Sequence, residues 1–323
     1  MITAITSYFP DTVLSNQELA DQFPDWPAEK IFEKTGISQR FIASADECAS
    51  DLAEKAAQKL FSRESREEID WLLFCTQTPD YILPTTACTL QHRLGLSSDC
   101  AALDFNLGCS GYIYGLSLAS ALIESGQAKR VLLLTADTYS KLIHHEDKGT
   151  RTIFGDAGTA TLLEQKAACK VHSFVLGTDG RGEEELIYRN GGSRESGSPV
   201  VSSESALSDG LYMNGPEIFN FTLKAVPTLV RQLLQKSKLE LKDIDLVVFH
   251  QANGFMLEHL RRKLKIPADK FVLHFAHCGN TVSSTIPIVI EELIQSGRLR
   301  PGMKVILAGF GVGFSWGGCI LEW

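Results

Sequence analysis

Ile69-Asp-Trp-Leu-Leu-Phe-Cys75 and Ile244-Asp-Leu-Val-Val-Phe-His250 are apolar runs opening on the same Ile-Asp pair, and three further pairs of segments repeat in the same order. Ala121-Leu-Ile-Glu-Ser-Gly126 matches Glu292-Leu-Ile-Gln-Ser-Gly297, Lys129-Arg-Val-Leu-Leu-Leu134 matches Met303-Lys-Val-Ile-Leu-Ala308, and Thr161-Leu-Leu-Glu164 matches Cys319-Ile-Leu-Glu322. Ordered internal matches of this kind constrain the chain to two halves of similar topology. Carried back along the helix without gaps, an offset of 171 residues takes Gly126 to Gly297, Gly108 to Gly279 and Cys109 to Asn280. Equivalent helix starts thus carry a cysteine in one half and an asparagine in the other.

Apolar periodicity predicts strands over 70–77, 101–106, 130–137, 159–164, 170–176, 245–251, 271–276, 303–309 and 318–323. It predicts helices over 51–61, 85–94, 110–125, 218–235, 254–264 and 283–295. Their interleaving is the α/β pattern. The halves are expected at 1–168, carrying the cysteine, and 169–323, carrying His250 and Asn280. Asn190 to Asp209, with seven serines and three glycines, reads as a mobile loop bordering a ligand entrance.

With 44% hydrophobic and 22% charged residues in 323, disordered and fibrous classes are excluded. The net charge of -8 leaves no global basic field to hold nucleic acid or anionic lipid. No run of about 18 apolar residues predicts a membrane span, and the first residues lack a basic start and a cleavage signal, so a cytoplasmic chain is expected. Eight cysteines lie mostly in apolar runs and read as small hydrophobes, with no C-x-x-C pair. His144-His145 and His274 with His277 lack thiolate or carboxylate partners at ligand spacing, so no metal is assigned.

Three positions have the residue types for covalent chemistry. Cys109 follows a predicted strand and opens a helix that is apolar nearly all round and therefore buried. The field of that helix end, about half a positive charge, is expected to depress the thiol below its free pKa of about 8.5. A cysteine opening a buried helix is equally a structural choice. His250 ends an apolar strand, where open α/β sheets expose ligand-binding residues, or is a satisfied core histidine. Asn280 stands beside Gly279 before a helix, where asparagine also serves as an N-cap. The duplication places the three at facing ends of related halves, able to converge on one pocket. Gly309-Phe-Gly-Val-Gly-Phe-Ser-Trp-Gly-Gly318 leads into another apolar run rather than a helix, so it is a tight turn and not a dinucleotide fingerprint. Phe154-Gly-Asp-Ala-Gly158 reads as plain hairpin chemistry.

At these residues the chain resembles the beta-ketoacyl-acyl-carrier-protein synthase III family of thiolase-fold condensing enzymes. The resemblance runs through Tyr8-Phe-Pro, Lys34-Thr-Gly-Ile-Ser-Gln-Arg40, the elbow at Cys109, Phe154-Gly-Asp156, Met213-Asn-Gly-Pro-Glu-Ile-Phe219, His250-Gln-Ala-Asn253, Gly279-Asn280-Thr281 and the turn from Gly309 to Gly317. It implies a five-layer αβαβα fold of two duplicated halves, a homodimer, and a Cys109-His250-Asn280 triad that needs no cofactor. Cys109 would take an acyl group from an acyl-CoA or acyl-carrier donor. His250 and Asn280 would hold the carbonyl of malonyl-acyl carrier protein while carbon dioxide leaves. The backbone N–H groups of Cys109 and Val312 would form the oxyanion hole, and Lys30, Lys34, Lys148, Leu83 and Asn253 would contact the donor.

The chain departs from the family's pattern in places. Lys30 and Lys148 replace the tryptophan and arginine that sandwich the adenine of coenzyme A, so coenzyme A binds differently or the donor is a carrier protein. Phe255 replaces an entrance arginine, although Arg261, Arg262 and Lys263 follow and can face an acidic carrier or simply solvent. Val312 replaces a glycine and narrows the backbone angles of the turn. Leu83 matches the position from which a partner subunit closes the acyl pocket. The rival activities are transfer of the Cys109-bound acyl group to an alcohol or amine without decarboxylation, and a papain-like hydrolase, for which the elbow motif is missing. A non-catalytic partner subunit is a further reading, opposed by the filled triad.

Overall fold

The computed structural model describes residues 1–194 and 210–323; residues 195–209 of the serine-rich stretch lie outside the described residues. β1 (Ile2–Tyr8) leads into an antiparallel pair, β2 (Thr12–Ser15) and β3 (Gln39–Ile42), with α1 (Asn16–Gln22) and α2 (Ala28–Thr35) between them. α3 (Ala49–Phe61), β4 (Trp71–Cys75), α4 (Thr86–Arg93), β5 (Ala101–Phe105), α5 (Gly111–Glu124), β6 (Arg130–Asp137), the single turn α6 (Lys148–Arg151) and β7 (Ala157–Glu164) follow. The second half runs β8 (Lys170–Thr178), the short pair β9 (Leu186–Ile187) and β10 (Tyr212–Met213), α7 (Gly215–Ser237), β11 (Leu246–Phe249), α8 (Gly254–Lys263), α9 (Thr285–Gln295), β12 (Lys304–Gly311) and β13 (Ser315–Glu322).

The first sheet has the order β1-β7-β6-β4-β5 and the second β8-β13-β12-β11. In each, the two antiparallel strands lie at corresponding places, β6 against β7 and β12 against β13. The repeated Ile-Asp pair has a structural cause. The Asp70 carboxylate accepts the backbone N–H groups of Lys129 and Arg130 at 2.6 and 2.9 Å. Asp245 accepts that of Lys304 at 2.7 Å. Each aspartate thus sets the start of β4 or β11 against its parallel neighbour. The repeated Ser-Gly pair is a helix stop: Gly126 and Gly297 follow α5 and α9 with φ of +75° and +68°, the left-handed conformation that glycine adopts without steric penalty.

Period-two alternation along the strands sorts the core into layers. Leu73, Val131, Leu133, Val248, Val305 and Leu307 point inward against α5 and α9, which lie between the sheets. Leu72, Phe74, Leu132 and Leu134 face α3 and α4 on one outside. Val247, Phe249, Ile306 and Ile320 face α7 and α8 on the other. The result is the five-layer αβαβα order that the resemblance implied.

The expected strand over 271–276 is a correction. Only Val247 and Phe271 pair, as a single parallel bridge. Beyond it the Gln251 side chain stands in for the ladder, donating to the Val272 carbonyl at 3.3 Å and accepting from the His274 N–H at 2.7 Å. Phe154-Gly-Asp156 is likewise no hairpin turn. Phe154 bridges to Asn280, and buried Asp156 accepts from the Ala43 N–H at 2.8 Å. Among the described residues no helix is long and apolar enough to cross a membrane.

Replacing Asp70 by Ala strands two strand-end N–H groups. It should lower stability by about 1–2 kcal/mol in urea unfolding, and Asp245→Ala should act in the same direction by somewhat less.

Candidate active site

Cys109 lies between the end of β5 and the start of α5, with Ser110 at the helix N-cap. The chain can turn there because its neighbours are bare. A Cβ on Gly309 would stand 2.5 Å from the Cys109 carbonyl oxygen, and one on Gly311 would stand 3.0 Å from the Cys109 Sγ. The Ser110 hydroxyl pairs with Ser315 Oγ at 2.7 Å, and Ser315 donates to the Val312 carbonyl at 2.8 Å. The elbow is therefore tied to the β12–β13 turn, and Val312 packs into the same apolar cluster as Cys109.

His250 follows β11 directly. Its Nδ1 lies 2.8 Å from Thr285 Oγ1, and the Thr285 hydroxyl also lies 3.2 Å from the Val282 carbonyl. Asn280 is held by its backbone, with its N–H on Ile153 O at 2.9 Å and its carbonyl taking the Gly155 N–H at 3.0 Å. Its side-chain Oδ1 accepts the Val282 N–H at 2.9 Å. Asn280 thus does cap a turn, as asparagine is suited to do, and its amide NH2 is the end left for the cavity that it lines. Val282 holds φ at +55°, a conformation that a β-branched residue adopts only when its surroundings over-determine it.

Cys109, His250 and Asn280 all line one cavity of about 350 Å3. Cys109 is 7%, His250 2% and Asn280 4% exposed. Burial pushes the Cys109 thiol up to about 12, and the buried carboxylate of Asp137 adds to the rise. This corrects the expected depression. The thiol sits short of the helix in an apolar pocket, and loss of hydration outweighs the field of the helix end. Burial also holds His250 down to about 3, so the imidazole is neutral. Between about pH 6.5 and 3 the unfolded chain binds a proton here that the fold does not, so acid removes stability. Asp137, pushed up to about 7 by burial, accepts from the Ser283 hydroxyl and from the Gln77 N–H at 2.8 Å. The cavity therefore presents a protonated thiol, a neutral imidazole and a neutral amide, a set that can receive developing oxyanion charge without fixed charge of its own.

The remaining sequence-predicted residues scatter. Lys30, Lys34 and Lys148 converge outside the cavity on the ring of Trp26, at 5.6, 5.4 and 5.6 Å from its centroid, and Lys148 pairs with Asp25. Trp26 was not singled out in the sequence; its signal was its place four residues before Lys30, just ahead of α2. Asn253 lines the cavity, its Oδ1 capping α8 at the Met256 N–H, 2.9 Å away. Leu83 is 79% exposed, in a run with Tyr81 and Ile82, and is not in the cavity wall. Phe255 stands at the rim against Phe219 and His259. Arg261 and Arg262 both bond Glu258, at 2.6 Å. One exclusion is corrected: the ligand atoms of His144, His145 and Glu146 lie within 4.8 Å of one another, so a carboxylate does stand near those histidines, with His144 half-buried and the other two exposed.

A thiol titrating near 12 should be slow to alkylate. Iodoacetamide should modify Cys109 more than tenfold slower than free cysteine at pH 7, with a rate still climbing at pH 10; peptide mapping after timed labelling reads this directly.

Comparison with known proteins agrees along the chain. Residues 103–180 match the family model for 3-oxoacyl-[acyl-carrier-protein] synthase III, and residues 234–323 match the model for its C-terminal part. The beta-ketoacyl-[acyl-carrier-protein] synthase III of Clostridium perfringens is 35% identical over 318 residues, 98% of this chain and 96% of that one. A crystal structure of a 3-oxoacyl-(acyl-carrier-protein) synthase III superposes with a TM-score of 0.97 at 49% identity, over 100% of this chain and 99% of the other. A 3-oxoacyl-(acyl-carrier-protein) synthase from Burkholderia xenovorans LB400 gives 0.92 at 38%, over 99% and 93%. With the elbow, the histidine strand end and the asparagine turn all meeting in one cavity of this fold, the chain belongs to the 3-oxoacyl-[acyl-carrier-protein] synthase III family.

Proposed function

We propose that the chain condenses an acyl thioester with malonyl-[acyl-carrier-protein], losing carbon dioxide, through an acyl group held on Cys109. The observation that carries this reading is the meeting of Cys109, His250 and Asn280 in one buried cavity. The Cys109 sulfur attacks the donor carbonyl; its proton leaves with the departing thiol, and the acyl group stays as an enzyme thioester. Neutral His250 is the group in the cavity able to relay that proton. The backbone N–H groups of Cys109 and Val312 receive the tetrahedral oxyanion.

The malonyl thioester carbonyl then rests on His250 and the amide NH2 of Asn280. Carbon dioxide departs, the electron pair of the broken bond becomes the enolate, and the two neutral donors hold its oxygen. The enolate carbon attacks the acyl-Cys109 carbonyl, and the sulfur leaves to regain a proton. A carboxylate at 280 would repel the enolate, and a charged imidazole would tend to protonate the carbanion. The low pKa of His250 supports its neutral role.

Trp26 with Lys30, Lys34 and Lys148 offers an aromatic face and three ammonium groups to the phosphates of a coenzyme A or to an acidic carrier, and Asn253 faces the incoming substrate. The reading includes a cytoplasmic homodimer. β5, a half-buried edge strand, and the exposed run Tyr81 to Leu83 are the surfaces a second copy would cover, with Leu83 closing the partner's acyl pocket.

Intact-mass analysis after incubation with acyl donors of two to twelve carbons tests the first step, and addition of malonyl-carrier tests the second. Cys109 should gain the acyl mass and lose it as a 3-ketoacyl product; Cys109→Ala should never load. His250→Ala and Asn280→Ala should load yet lose about 100-fold or more in condensation. Release of the acyl group by alcohols or amines, with malonyl-carrier inert, would mark a plain acyltransferase.

A further inference from the structure

The face of α7 turned to the second sheet carries Thr222, Val226, Leu229 and Leu233 at helical spacing. Thr222 is fully buried, and among the described residues its Oγ1 has no hydrogen-bond partner. A helical hydroxyl ordinarily returns to the carbonyl four residues back. In the same helix Thr228 does so to Lys224 at 3.2 Å, and Ser237 to Leu233 at 2.8 Å. In α2, Thr35 bonds Ile31 at 2.7 Å. Thr222 makes no such bond and lies in the wall of the cavity that holds the triad. Among the described residues, the only other polar side chain of that wall outside the triad is Asn253, whose Oδ1 is taken by the α8 cap.

We infer that Thr222 is a substrate-binding contact, its hydroxyl hydrogen-bonding an amide of the pantetheine arm from which the thioester hangs. The inference rests on the condensation proposed above, in which both substrates are thioesters of such an arm, with an amide two carbons from the sulfur. One turn before Thr222 on the same helix, Phe219 packs against Phe255 and His259 of α8, the helix that follows His250 in the chain. Thr222 therefore stands on the His250 side, where a thioester whose carbonyl meets His250 and Asn280 continues into its arm. The acyl chain varies from donor to donor, but every turnover brings the arm's amides past this wall. A hydroxyl serves either end of an amide, since it both donates and accepts. Left without a partner it weakens the free protein, and the arm satisfies it.

Thr222→Val keeps the shape and removes the hydroxyl; Thr222→Ser keeps the hydroxyl. Calorimetric binding of pantetheine and of coenzyme A should weaken about three- to tenfold in T222V and recover in T222S. In condensation assays T222V should raise KM by the same factor with kcat unchanged. The melting temperature of free T222V should equal or exceed that of the wild type. Unchanged affinity for both ligands in T222V would overturn the inference. So would a loss confined to donors with an oxygen on the acyl chain, because the contact would then belong to the acyl group. Failure of the condensation reading shows itself separately, as a Cys109 that does not load in wild type while pantetheine binding still responds to T222V.

Discussion

The buried turn from Asn280 to Thr285 is the knot on which the site depends. Ser284 Oγ lies 2.8 Å from Thr135 Oγ1 on β6 and donates to the carbonyls of Thr135 and Ala157, so the second half is pinned into the first sheet. Ser283 bonds Asp137 on the same strand. Thr285 orients His250 at the end of the second sheet, and Asn280 pairs with Phe154. One short turn therefore registers three strand ends against one another. The left-handed Val282 in its middle is a backbone conformation that only such a network sustains.

Burial governs the chemistry in the same way that it governs the fold. The interior that packs five layers also strips water from Cys109, His250 and Asp137, and each group moves toward its neutral form. A neutral site suits two consecutive reactions of thioesters, in which the charge to be stabilised appears on substrate oxygen and then vanishes. Hydrogen-bond donors fixed in a buried cavity meet that charge without having to reorganise.

The two-half architecture was legible because the repeated residues do local work twice. Asp70 and Asp245 receive strand N–H groups, and Gly126 and Gly297 stop equivalent helices, so both pairs persist in the sequence. The same register aligns Cys109 with Asn280 in the sequence, although α5 starts two residues after the one and α9 five after the other. What could not be read were contacts between distant residues: Thr285 with His250, 35 residues apart, and Asp137 with Ser283, 146 apart. Thr222 reads along the chain as one polar residue among helical neighbours, and only its lack of a partner distinguishes it. The strand expected over 271–276 failed because Gln251 supplies from a side chain the hydrogen bonds that a ladder would have made. The thiol of Cys109 was misjudged because a helix start is visible in sequence, whereas the amount of water reaching it is not.

The closed state of that thiol bears on how the protein meets oxidants. Peroxides attack thiolates that solvent can reach, so a cysteine that is buried and protonated at rest stands low on the oxidation ladder. Of the eight cysteines only Cys88 is exposed, and it is the one that an oxidant meets first. The proposed nucleophile, Cys109, is thereby kept from oxidants by burial alone.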